Sequence, residues 1–249
     1  MNHLAFETPP SVPALEQCRF AVHRICSLGE RHHEKFGGQW DWFEMLVRPV
    51  TKYFAGSPYE FIRRLYRDHA PEQVDQAIIC RASAWLAGRR RPTQLSVNIH
   101  PGSLIKPFFL DQVIAVQKRL TPLRHSICLE LVEFGECLDR AALIESARGL
   151  RKRDVKIVLD DFGTHFNCFD LCVAGVVDVI KIDAVMVREL DSNPYQRAVV
   201  DSIQALGSGI GASVIAEGVE NPEVVARLRH AGVEYAQGFY FHKPELAGI

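Results

Sequence analysis

Apolar residues along this chain come in short blocks that stop on an acid, an amide or a lysine. The clearest are Leu95-Ser96-Val97-Asn98, Ile127-Cys128-Leu129-Glu130, Ile157-Val158-Leu159-Asp160-Asp161, Val179-Ile180-Lys181 and Val214-Ile215-Ala216-Glu217. Short apolar runs mark strands buried on both faces, as in a parallel sheet. On this reading strands fall at 19–25, 42–47, 95–99, 126–131, 155–159, 179–182, 213–216 and 235–238. Helical spacing recurs between most of them, at 59–68, 72–86, 108–120, 138–151, 196–206 and 222–231. Asn221 is placed to cap the last of these, with Pro222 in its first turn and Gly232 to stop it. The polar stretch 31–38 reads as a loop.

Strands alternating with helices predict an α/β fold, a (β/α)8 TIM-like barrel, over a sandwich. An open doubly wound sheet is the alternative, but no glycine-rich dinucleotide loop follows the first strand. The 249 residues suit a single barrel of this kind. The expected layout is a flexible lead-in over residues 1–13 and one module over 14–249. A formal net charge of -1 provides no global field toward polyanions, so no DNA binding is expected. Arg89-Arg90-Arg91, just before Pro92, reads as a solvated basic loop. Seven cysteines, odd in number and scattered, point to a reducing compartment and so to the cytoplasm. No apolar run is long enough to cross a membrane, and Met1–Pro13 lacks a signal-peptide pattern.

In an α/β barrel, functional groups sit at the carboxyl ends of the strands. Asn98, Glu130, Asp160, Asp161 and Glu217 fall there, Lys181 and Gln237 close their own strands, and Glu44 lies within its strand. A single acid after a strand reads equally well as a helix cap. Several together form one rim of oxygen donors. Gathered carboxylates repel unless positive charge lies among them, and a hard divalent cation prefers such ligands. Asp160 and Asp161 can serve one site only if the strand bends, because successive side chains point opposite ways. Gly163 permits such a bend. One carboxylate of the pair could then bridge two cations roughly 4 Å apart, the spacing of two-metal phosphoryl chemistry. Lys181, ending an apolar run, calls for an acidic partner.

These residues together resemble the EAL domain, the bacterial cyclic-di-GMP phosphodiesterase module. The resemblance runs from about Arg19 to Pro244 and is carried by seven motifs in order. They are Glu44-Met45-Leu46-Val47-Arg48, Leu95-Ser96-Val97-Asn98, Leu129-Glu130-Leu131-Val132-Glu133, Asp160-Asp161-Phe162-Gly163-Thr164, Lys181-Ile182-Asp183, Ala216-Glu217-Gly218-Val219-Glu220 and Gln237-Gly238-Phe239-Tyr240-Phe241, the last followed by Lys243-Pro244. The resemblance implies a barrel whose first strand runs antiparallel to the rest. It implies two Mg²⁺ or Mn²⁺ ions, one on Glu44, Asn98, Glu130 and Asp160, the other on Asp160, Asp161 and Glu217. Lys181 would orient the attacking water, with Glu217 and Gln237 beside it. Leu46, Arg48 and Tyr240 would meet the substrate, and Glu133 would brace the loop that begins at Asp161. The implied reaction opens cyclic-di-GMP to linear pGpG. The implied partners are this nucleotide, a second copy of the chain and a separate regulatory protein.

The chain also departs from the family pattern. His23-Arg24-Ile25 stands where the family has Gln-Pro-Ile, Trp42 replaces a small residue before Glu44, and His100 follows Asn98-Ile99 where serine is usual. After Thr164 comes His165-Phe166-Asn167-Cys168 in place of glycine and small hydroxyl residues. These changes motivate a second reading, a non-catalytic EAL-like module that binds cyclic-di-GMP or a protein.

Overall fold

A computed structural model describes residues 12–29, 40–132, 139–163 and 169–248. Chain order begins with a short helix α1 (Pro13–Glu16), then strands β1 (Cys18–Ser27) and β2 (Asp41–Pro49). Helices α2 (Pro58–Asp68) and α3 (Pro71–Ala87) lead to β3 (Thr93–Ile99), a 3-10 turn (Pro101–Ile105) and α4 (Pro107–Leu120). Next come β4 (His125–Leu131), α5 (Arg140–Arg151), β5 (Lys156–Phe162), α6 (Phe169–Val173) and β6 (Val179–Ile182). The chain continues with α7 (Ala184–Val187), α8 (Pro194–Ile210), β7 (Ser213–Ala216), α9 (Pro222–His230), β8 (Tyr235–Ala236) and β9 (Glu245–Leu246).

Strands β2 to β8 pair in parallel, each with the next, and β1 runs antiparallel between β2 and β8, so the sheet closes. This is the TIM-like barrel expected, with its first strand reversed; the open-sheet alternative fails at the β1–β8 pairing. Strand β9 adds to β1 through Ala21 and Val22. The helices take their places for local reasons. Helix α2 starts on a full capping box in which Ser57 Oγ accepts from the Glu60 amide and Glu60 accepts from the Ser57 amide. Asn221 caps α9 as expected, accepting from the Val224 amide at 2.9 Å.

The core has two parts. The larger packs the outer faces of the strands against the helices and includes Val97, Leu129, Leu159 and Ile180. The smaller fills the barrel lumen with Ile25, Trp42, Cys128, Val158, Val179, Ile215 and Tyr235. Strand alternation then sets the third dimension: two residues further toward the mouth on each of these strands stand His23, Glu44, Glu130, Asp160, Lys181, Glu217 and Gln237. An apolar plug therefore lies directly beneath the polar rim.

Several expectations need correction. Arg90 and Arg91 are exposed as expected, but Arg89 is half-buried: its guanidinium lies over the Trp85 and Phe43 rings, 4.9 and 5.3 Å from their centroids, and 3.5 Å from Asp41. The last barrel strand holds only Tyr235–Ala236, so Gln237 already lies in the exit turn. Val12 is buried against the core, and residues 1–11 of the expected lead-in lie outside the described residues. So do the stretch 31–38, Glu133 and the run 164–168.

Candidate active site

Lys181 is the centre of the barrel mouth. It is 1% exposed, and its Nζ lies 2.6 Å from Glu217 Oε1, 2.9 Å from Glu130 Oε2, 2.9 Å from Asp160 Oδ1 and 3.7 Å from Glu44 Oε2. Four strands thus deliver four carboxylates to one ammonium. Glu44 also accepts from two amides, Asn98 Nδ2 at 3.1 Å and Gln237 Nε2 at 3.0 Å. Every residue that the strand-end reading singled out for the rim, Asp161 included, is brought to this mouth.

Asp161 arrives by a local irregularity. The β5–β6 register shifts between Leu159 and Phe162, Asp161 takes φ 49, and Gly163 takes φ 104. A left-handed φ at a residue with a side chain is unfavourable, and such strain collects at functional sites. The bulge turns two adjacent acids toward the same side. Carboxylate oxygens of Asp160, Asp161 and Glu217 consequently lie within 4.8 Å of one another. Among the described residues this triad is the tight acidic group. Glu44 and Glu130 reach the centre through Lys181 instead.

The electrostatics report a shortage of positive charge. Glu130 is fully buried, and burial pushes its carboxyl up to about 8 against the pull of Lys181, with Glu44 and Asp160 adding to the rise. Burial likewise raises the Glu217 carboxyl well above the usual range. Burial alone would raise Glu44 too, but Lys181, Gln237 and Asn98 hold it below its ordinary value. For Lys181, burial works against the charge, and Asp160, Glu130, Glu217 and Glu44 outweigh it and hold the amine well above its ordinary value. Glu130 Oε1 and Asp160 Oδ1 are buried without a hydrogen-bond partner; Asp160 Oδ1 is within ion-pair range of Lys181 but not in hydrogen-bonding geometry. One ammonium among this many acids, with orphaned buried oxygens, is a donor set that fits hard divalent cations.

A cavity of about 210 Å³ opens beside the acids. Leu46 and Arg48 line it together with Asn98, Asp160 and Asp161, and its far wall is Tyr59, Ile62 and Tyr66 from α2. Tyr240 is not part of that lining: it is 45% exposed and packs edge-on against Phe241. His23, in the altered first strand, pairs across from Glu44, and its Nε2 is 2.9 Å from the His242 carbonyl. Trp42 does not crowd this cavity. It packs below the rim, edge-on to Tyr235, and donates to Ser96 Oγ at 3.1 Å.

The strand-end argument missed two polar residues near the cavity, Tyr66 and Asp75. The Tyr66 hydroxyl donates to Asp75 Oδ1 at 2.5 Å, and the His100 amide donates to Asp75 Oδ2 at 3.0 Å. A signal was present: Asp75 falls on the apolar stripe of α3 with Val74, Ile78, Ile79 and Ala82, where a lone acid is out of place.

The family model described as the EAL domain matches residues 39–244, well over half of the chain. The chain belongs to the EAL domain family. The EAL chain is 30% identical over 208 residues to the cyclic di-GMP phosphodiesterase PdeB of Shewanella oneidensis, an alignment covering 81% of this chain and 24% of PdeB. It is 30% identical over 159 residues to the cyclic di-GMP phosphodiesterase RocR of Pseudomonas aeruginosa, covering 64% of this chain and 41% of RocR. The chain therefore spans about a quarter of the length of PdeB and about two fifths of that of RocR. The EAL domain of Mycobacterium smegmatis DcpA superposes with a TM-score of 0.71 at 27% identity, covering 93% of both chains.

Proposed function

We propose that this EAL domain is a metal-dependent phosphodiesterase that hydrolyses cyclic-di-GMP to linear pGpG. One observation carries the reading: Glu44, Glu130, Asp160 and Glu217 converge on Lys181, with Asn98 on Glu44 and Asp161 beside Asp160 and Glu217, next to a cavity walled by Leu46 and Arg48. The relatives PdeB and RocR are named as cyclic di-GMP phosphodiesterases.

Glu44, Asn98, Glu130 and Asp160 would hold one ion, and Asp160, Asp161 and Glu217 a second. Mg²⁺ or Mn²⁺ bound there supplies neutralising charge and makes a water more acidic. The residues of the chain do the rest. Arg48 offers a planar, permanently charged group to a phosphate oxygen. Lys181 orients the attacking water and keeps the carboxylates from repelling one another. Gln237 and Asn98 lock Glu44 in one rotamer, which fixes the inner edge of the site. The apolar plug under Glu44 and Glu130 keeps bulk water from entering below, so charges at the rim act at low dielectric.

Incubating the purified protein with cyclic-di-GMP and Mg²⁺ or Mn²⁺, followed by chromatography, tests this. We expect pGpG from the wild type and none from Glu44→Gln, a substitution that keeps the size of the side chain but removes its charge and one of the two oxygens that accept from Asn98 and Gln237. Turnover retained by Glu44→Gln would sink the assignment of Glu44. Saturable binding of intact nucleotide by the wild type would make the domain a receptor instead.

A further inference from the structure

Asp75 lies outside the donor set, yet it touches both a residue of the cavity wall, Tyr66, and the turn that follows the strand carrying Asn98. It is 0% exposed on α3. One oxygen takes the Tyr66 hydroxyl at 2.5 Å and the other takes the His100 amide at 3.0 Å. Tyr66 comes from α2 and forms part of the cavity wall opposite Arg48 and Asp161. His100 is the residue at which β3 ends and the 3-10 turn begins, two positions after Asn98. The His100 ring is itself fixed: Nδ1 accepts from the Gly102 amide at 3.0 Å, and the ring lies 5.2 Å from that of Tyr66.

We propose that Asp75 is a positioning residue that couples the cavity wall to the Asn98 turn: through Tyr66 it sets the width of the cavity, and through His100 it sets where the Asn98 amide meets Glu44. The proposal rests on the function proposed above for what fills the cavity. A carboxylate with two donors from two different elements is a cross-brace that no helix or strand ladder supplies. Because the Tyr66 hydroxyl is engaged by Asp75, this side chain presents its ring to the cavity. It therefore selects a ligand by shape and stacking, which suits a flat heteroaromatic base beside a phosphate held by Arg48. Finally, the Asn98 amide donates to Glu44 at 3.1 Å, so any loosening of the turn is transmitted to the inner edge of the acid cluster.

Three variants separate the parts. Asp75→Asn keeps an acceptor for the His100 amide and turns the other tie round, its NH2 donating to the Tyr66 hydroxyl oxygen. Tyr66→Phe keeps the ring and the His100 contact but loses the tie between α2 and α3. Asp75→Ala loses both ties. The readouts are KM and kcat for cyclic-di-GMP, nucleotide affinity by calorimetry in Ca²⁺, and Mn²⁺ affinity without nucleotide, each on protein shown folded by circular dichroism. Losing one hydrogen bond to a buried charged group corresponds to about 10-fold or more, so Tyr66→Phe should raise KM by about that factor with kcat and Mn²⁺ affinity little changed. Asp75→Ala should raise KM, lower kcat and weaken Mn²⁺ binding by about 10-fold or more, since outer partners of metal ligands carry effects of that order. Asp75→Asn should restore all three to within about 3-fold of wild type, because both ties remain as hydrogen bonds, one of them reversed in direction. Folded Asp75→Ala with wild-type Mn²⁺ and nucleotide affinity overturns the proposal, as does Asp75→Asn as impaired as Asp75→Ala. If the wild type neither binds nor cleaves the nucleotide, the proposed function fails. Mn²⁺ affinity then still decides whether Asp75 governs the Asn98 edge.

Discussion

Replacing Lys181 by methionine should convert this domain into one whose stability depends on divalent cations. The substitution keeps most of the volume of a side chain that is 1% exposed and removes the charge. At 2.6 to 2.9 Å, each of the three short contacts from Nζ is worth about 6 kcal/mol of gross attraction at an effective dielectric of 20. Most of that offsets the cost of burying the ions. The measurable loss on removing one partner of a buried charged cluster is about 3–5 kcal/mol. For a chain of this size each kcal/mol moves the melting temperature by about 2–4 °C, so the metal-free variant should melt about 6–20 °C below wild type. Excess Mn²⁺ should close at least half of that gap, because cations then supply the missing charge. The assay is thermal unfolding by circular dichroism in EDTA and in Mn²⁺. An equal deficit in both buffers would show that Lys181 acts by packing alone. No deficit in EDTA would show that the acids do not depend on it.

Two further outcomes follow from other features. Burial pushes the Asp75 carboxyl up to about 7 from an ordinary 3.8. Between those values the folded chain holds more protons than the unfolded one, so raising pH costs stability through this group; relative to Asp75→Asn, the wild type should lose roughly 2–4 kcal/mol from pH 4 to pH 7 in denaturant titrations, and parallel pH profiles would refute the assignment. A methyl group added at Gly238 would sit 2.1 Å from the Val219 carbonyl oxygen and 2.3 Å from its nitrogen. Gly238→Ala should therefore lower stability by about 1–3 kcal/mol or more and pull Gln237 away from Glu44, seen as a lower melting temperature with weakened Mn²⁺ binding; an unchanged melting curve would mean that the Val219 backbone yields freely.

Much of the site was legible because alternation along a strand is a local property. Glu130 two residues after Cys128, and Lys181 two after Val179, report the same geometry in sequence as in the barrel lumen. Local patterns also placed the Asn221 cap and the bend at Gly163. Trp42 was less legible, since an aromatic two residues before Glu44 fits either a crowded pocket or the plug beneath it. Packing against Tyr235, contributed by a strand near the other end of the chain, decides for the plug.

By itself, then, the chain's order of residues determined the barrel, its seven polar strand ends and the family, because each depends on periodicity and on side chains read within a few positions. Only tertiary structure decided that Lys181 meets Glu44, Glu130, Asp160 and Glu217 at one point, that β5 bulges at Asp161, and that Asp75 ties Tyr66 to His100. Those are contacts between separate elements. They arise from closing the sheet and docking α2 and α3 against it, and no repeat along the chain encodes which side chains such docking brings within hydrogen-bond reach.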